Sequence, residues 1–175
     1  ALTANQKRGA ILFFGKGQCA TCHNGPSLAN MEFYALGMND LSGPGVFNAN
    51  PVARENRGRG GFTSDPEDLY TFKVPQLYNL KDSPFYGHGA SFRSIEDVIR
   101  YKNLAQKENS NVPEEYLSPE FAPLGLSEHE IKLLADFIAN GLYDPNLMRY
   151  TPSELPSGLC FPNNDPISRS EGGCD

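Results

Sequence analysis

Cys19-Ala20-Thr21-Cys22-His23 is the stretch of this sequence in which residue types and spacing already specify a chemistry. Two thiols three positions apart can meet the two vinyl groups of one porphyrin when the backbone makes a single helical turn. The adjacent His23 is then swung under the iron to supply an imidazole nitrogen. Its other ring nitrogen should donate to a backbone carbonyl or a similar acceptor, which fixes the tautomer and raises ligand basicity. Two other chemistries share part of the pattern. A redox dithiol wants a preceding strand within a βαβ pattern, and here a helical pattern precedes. A structural zinc site wants four ligands in closed array, whereas Cys160 and Cys174 lie far along the chain and the other histidines are His88 and His129. The motif reads as the attachment site of one covalent haem c, held by Cys19 and Cys22, with His23 as proximal iron ligand.

Such a motif needs helices to hold it. Thr3-Ala4-Asn5-Gln6 is a T-x-x-Q capping box, and it opens a helix whose apolar residues Ala10, Phe13 and Phe14 recur at helical spacing. Gly15 and Gly17 end it just before the motif, and small residues at 9 and 10 let another helix approach closely. Ser94 caps a second helix with Asp97 at its third position. Ser127-Glu128-His129-Glu130 is a further capping box, opening a helix with the stripe Ile131, Leu134, Ala135, Ile138 and Leu142 and an end at Asn140-Gly141. His129, in that first turn, has no assigned role. A helix before the cysteine motif and one near the end of the domain are the pair that cross in cytochrome c-like folds.

Between these helices the chain is loop-rich. Ser27 to Asp40 reads as short extended or irregular structure, Leu41 to Asp68 as a long loop, and residues 69–93 as a segment broken by Gly and Pro into a wrap. The expected architecture is mainly α: a cytochrome c-like single-haem domain over residues 1–149, with long loops. Residues 150–175 form an irregular tail of the same unit, pinned by a Cys160–Cys174 disulfide worth roughly 3 kcal/mol in the chain-entropy model.

Composition bounds the function. The 175 residues are 39% hydrophobic, with no Trp, 17 Gly and 14 Pro, a modest protein core that a buried haem would complete. A net charge of −6 and a pI near 5.1 argue against nucleic acid or an anionic membrane as partner and permit a basic redox protein. No run approaches the length of a membrane span, and the absence of a leader before Ala1 reads as a processed start. An even pair of cysteines left over from the haem motif points to an oxidising compartment, periplasmic or otherwise extracytoplasmic.

Three further positions stand out. Arg54, Arg57 and Arg59 cluster in an otherwise acidic protein, and one of them, Arg59 foremost, suits a haem propionate; a solvated loop is the other reading. His88 sits between two glycines beside Tyr86, in a loop that can approach a ligand closely. On the helix after Ser94, Ile95, Val98 and Ile99 mark the buried stripe, and the residue seven on from Ile95 is Lys102. Lys102 thus shares the inward face, while Arg100 and Tyr101 are rotated off it. The ordinary explanation of such a lysine is a stem lying on the core with its ammonium reaching water.

Several segments together resemble one family, the bacterial di-haem cytochrome c peroxidases and their MauG-like relatives, and within it the C-terminal haem domain. The matching pieces are CATCHNGPSL from Cys19 to Leu28, Gly58-Arg59 followed by Thr63, FKVPQLYN from Phe72 to Asn79, YGHG from Tyr86 to Gly89, and SIEDVIRYKN from Ser94 to Asn103. The resemblance implies a proximal His23 and a sixth iron ligand from the helix after the His-Gly loop, where relatives place Met or Tyr and this chain has Lys102. Tyr101, His88 and Met38 are the alternatives, and an open site is another. It departs in two respects. Family members carry two haems, and this chain has one C-x-x-C-H. Their interdomain calcium site draws on a Thr and a Pro where this chain has Ser83 and Phe85, which puts calcium in doubt.

Four function classes follow, each with its discriminating observation. An electron-transfer cytochrome c would be low-spin and indifferent to peroxide. A peroxidase, or the haem-bearing half of a di-haem peroxidase with a second haem-bearing domain or chain as partner, would respond to peroxide, with His88 as distal acid/base. A non-catalytic haem module would bind its partner in a ligand-dependent way. A haem-free interaction domain would be colourless.

Overall fold

In the computed structural model, residues 1–43, 46, 50, 53–146 and 170 are described, and they fall into two compact units, Ala1–Tyr143 and Asp144–Asp175. The expected boundary at 149/150 and the Cys160–Cys174 disulfide lie outside the described residues. In the second unit, the Asn146 amide donates to Asp144 Oδ1 at 2.9 Å. The first unit carries the haem motif.

The unit is largely helical: α1 (Ala4–Phe14), α2 (Arg59–Thr63), α3 (Ile95–Leu104) and α4 (Glu128–Asp136), with one two-stranded antiparallel ladder of β1 (Phe33–Tyr34) and β2 (Phe72–Lys73). The helix starts are where local hydrogen bonding puts them. Thr3 and Gln6 form the expected reciprocal box on α1, Ser94 accepts from the Asp97 amide on α3, and Ser127 and Glu130 close the box on α4. Helix α4 ends where Asn140-Gly141 predicts, through a wider turn over Phe137–Gly141. No helix among the described residues is long and apolar enough to cross a membrane.

Helices α1 and α4 cross in contact, as the small residue at 9 requires. Gly9 is buried against the Leu133 carbonyl and the Phe137 side chain of the α4 segment. Around this crossing Phe13, Leu134 and Ile131 are almost wholly buried, joined by Ile99 from α3 and by Leu77, Leu126 and Ile138. The four inner positions of the expected α4 stripe are buried; Leu142 is half-buried, and Leu133 and Phe137 widen the apolar face. A second cluster joins Phe92, Tyr101 and Phe121, with Met38 and Leu36 against it.

One local reading differs from the structure, and another gains a partner in it. The segment read as a loop from Leu41 to Asp68 contains α2, a five-residue helix started by Gly58 at φ +57°. The segment read as short extended or irregular holds β1, which meets β2 of the segment read as a wrap; pairing Phe33 with Lys73 and Tyr34 with Phe72 satisfies backbone groups across 40 residues of sequence that no local pattern connects.

Candidate haem site

The motif sits immediately after α1. Gly15 caps that helix, Gln18 takes a left-handed conformation at φ 51°, and Cys19–Thr21 close a single 3-10 turn. The His23 amide donates to Cys19 O at 2.8 Å, which brings both thiols and the imidazole to the same side of one turn. Cys19, Cys22 and His23 then line a cavity of about 560 Å³, walled by Phe13, Leu77, Ile99, Leu134 and Ile138 from the main core.

His23 is oriented as an iron ligand must be. Its Nδ1 lies 2.9 Å from the Leu28 carbonyl oxygen. With Nδ1–H donating there, Nε2 is the nitrogen left to coordinate. Burial pushes the imidazole below its ordinary pKa, against the opposing pull of the Leu28 and Pro75 carbonyls, which favours the neutral form that a metal ligand needs. The cysteines behave oppositely to a redox dithiol. Burial pushes the Cys19 thiol up to about 11 and also raises Cys22, whereas reactive dithiols depend on a depressed value. Neither thiol is in a disulfide. A largely apolar cavity with two thiols and a carbonyl-oriented imidazole at its wall fits a covalently attached haem, which Cys19, Cys22 and His23 would hold.

The other predicted positions divide. Lys102 lines the cavity together with Ile95, Val98 and Ile99, so the inward face of α3 is the expected one. Lys102 is half-buried there, and burial holds its ammonium below its usual pKa, against attraction from Cys22, Cys19 and Glu120. Nζ lies 5.5 Å from the centre of the Phe121 ring. Tyr101 is a correction. Offered as an alternative iron ligand, it is rotated off the cavity face as the stripe has it, yet buried, 7% exposed. Its ring packs between Phe92 and Phe121 and its hydroxyl donates to the Leu36 carbonyl. It is not among the cavity-lining residues. The helix is buried on two faces, which a single stripe could not reveal.

Arg59 is the second correction. It does not line the cavity; its Nε pairs with Asp68 Oδ2 at 3.1 Å and its guanidinium lies over the Phe33 ring. The α2 turn carries it to that carboxylate. Arg54 donates to the Gly61 carbonyl and Arg57 is exposed.

His88 does line the cavity. Its Nε2 lies 3.1 Å from Asp40 Oδ1, and its ring stacks on Phe72 at 3.7 Å and 9°. Asp40 Oδ2 accepts from Asn109 Nδ2 at 2.8 Å, and Asn109 is 5% exposed. Asp40, Phe72 and Asn109 carried no sequence signal for this arrangement, since they come from three separate segments. Met38 lines the cavity too, its sulfur against Gly87, and His129 is exposed as expected.

No family model matches the chain. Among curated proteins, cytochrome-c peroxidase IdrP2 of Denitromonas iodatirespirans is 30% identical over 158 residues, covering 79% of this chain and 40% of its own length. The methylamine utilization protein MauG of Methylorubrum extorquens is 31% identical over 141 residues, 79% of this chain and 35% of its own. A solved MauG-like protein associated with microbial copper homeostasis superimposes with a TM-score of 0.65 at 24% identity, covering 82% of this chain and 48% of that one, a likeness of fold. The chain thus spans between 27% and 41% of the length of the curated relatives it matches.

Proposed function

The chain belongs to the MauG-like di-haem peroxidase family, and we propose that it works as a c-type haem domain that transfers electrons, corresponding to the electron-entry haem of such proteins. The observation that carries this reading is His23, its Nδ1 2.9 Å from the Leu28 carbonyl, at the wall of an apolar cavity beside Cys19 and Cys22. A haem held there supplies a one-electron couple. The residues of the chain do the rest. The turn after α1 orients the imidazole. Phe13, Leu77, Ile99, Leu134 and Ile138 exclude water, which keeps reorganisation small. We place the domain outside the cytoplasm, with a redox protein, or a second haem-bearing domain, as its electron partner.

The test is direct. The purified protein should keep its colour and stain for haem after denaturation, with one haem per chain, and should take up one electron per haem in a reductive titration. A colourless protein, or colour lost on denaturation, would sink the assignment.

A second reading is the haem-bearing half of a peroxidase. His88 favours it: an imidazole fixed at Nε2 by Asp40 and by the Phe72 stack leaves Nδ1 to hold or release a proton at the cavity wall. Peroxide consumption by this chain with an electron donor, lost in His88→Gln, would move the assignment to that reading.

A further inference from the structure

We infer that the Lys102 amine would be the second protein ligand, beside His23, to the iron of a haem held by Cys19 and Cys22; this rests on the haem-domain reading above. The side chains that the sequence offers as sixth ligand are Met38, His88, Tyr101 and Lys102, of which all but Tyr101 line the cavity. Three are engaged. Tyr101 gives its hydroxyl proton to Leu36 O and its ring to the second core cluster, away from the cavity. His88 is held edge-on by Asp40 and face-on by Phe72, so rotating it to an iron would break a 3.1 Å bond and a 3.7 Å stack together. Met38 is packed with the Phe92–Tyr101–Phe121 cluster, and its sulfur closes over Gly87, where an added Cβ would lie 3.3 Å away.

Lys102 is different. Its three neighbours on the inward face of α3, Ile95, Val98 and Ile99, are apolar walls of the same cavity. Among the described residues its Nζ makes no hydrogen bond and no ion pair, with an aromatic face 5.5 Å away as its contact. A lysine head group turned into a largely apolar cavity with no hydrogen-bond acceptor is costly unless something there engages it. A nitrogen lone pair offered to iron does so. The fold brings Lys102 of α3 and His23 of the turn after α1 into the lining of one cavity.

The experiment is pulsed EPR on the ferric holoprotein, grown once with ordinary and once with 15N-labelled lysine. The expected result is a low-spin ferric signal whose strongly coupled nitrogen changes its hyperfine pattern on lysine labelling. A high-spin ferric protein, or a low-spin signal blind to the label, overturns the proposal. Lys102→Ala provides the independent arm, read by absorption rather than activity. It should convert the ferric spectrum to high-spin and let added imidazole restore low-spin. A Lys102→Ala protein with the native low-spin spectrum overturns the proposal as well. Failure here is distinguishable from failure of the haem reading, because covalent haem staining depends on Cys19 and Cys22 and persists in either case.

Discussion

Gly9 of α1 packs so closely on the Leu133 carbonyl of α4 that a Cβ added at Gly9 would overlap it. The two helices that bracket the haem motif therefore meet through backbone rather than through side chains. In an open helix, Gly9→Ala would stabilise by about 1 kcal/mol through propensity. Here the methyl must push α4 aside, and overpacking of this kind costs roughly 1–3 kcal/mol. We expect Gly9→Ala to unfold at lower urea concentration with an unchanged slope. A variant as stable as the parent would mean the helices do not cross at Gly9.

His23→Ala removes the imidazole that Leu28 orients. The expected outcome is loss of the parent absorption spectrum and a lower melting temperature, because the haem would be core as well as cofactor in a chain with a small apolar interior. A variant with the parent's spectrum and melting point would show that the motif had been misread.

Asn103 clamps the entry to α4: its Nδ2 donates to Leu126 O at 3.1 Å and its Oδ1 accepts from the Leu126 amide at 2.7 Å. Asn103→Ala leaves both backbone groups of a buried leucine without these partners, at about 1–3 kcal/mol. Hydrogen exchange at the Leu126 amide should accelerate in step with the loss of stability. Unchanged exchange there would remove Asn103 from the account.

The α4 cap should titrate. Glu130 is held at about 2, against an ordinary 4.5, first by Lys16, whose Nζ lies 2.7 Å away, and then by the Ser127 amide and hydroxyl. A folded-state value below the unfolded one means stability fully present above about pH 4.5 and lost as pH falls towards 2. The gap in melting temperature between the parent and Glu130→Gln should be constant at neutral pH and close across that window. A gap that does not change with pH would show the carboxylate's charge to be irrelevant.

What the sequence determined by itself is whatever depends on a few consecutive residues. The cysteine and histidine spacing, the Thr3, Ser94 and Ser127 caps, and the inward turn of Lys102 are all local hydrogen-bonding or periodicity facts, and the structure has them in place. The Leu28 acceptor for His23 belongs with them, five residues away. Tertiary structure alone decided the pairings between distant segments. Asp40, His88 and Asn109 come from three loops, β1 meets β2 across the whole Arg-rich segment, and Arg59 finds Asp68 rather than the cavity. Tyr101 shows why. A helical stripe names one buried face, but α3 packs against the cavity on one side and against Phe92 and Phe121 on another. Which residues surround a helix is set by where the rest of the chain closes, and no period within the helix encodes that.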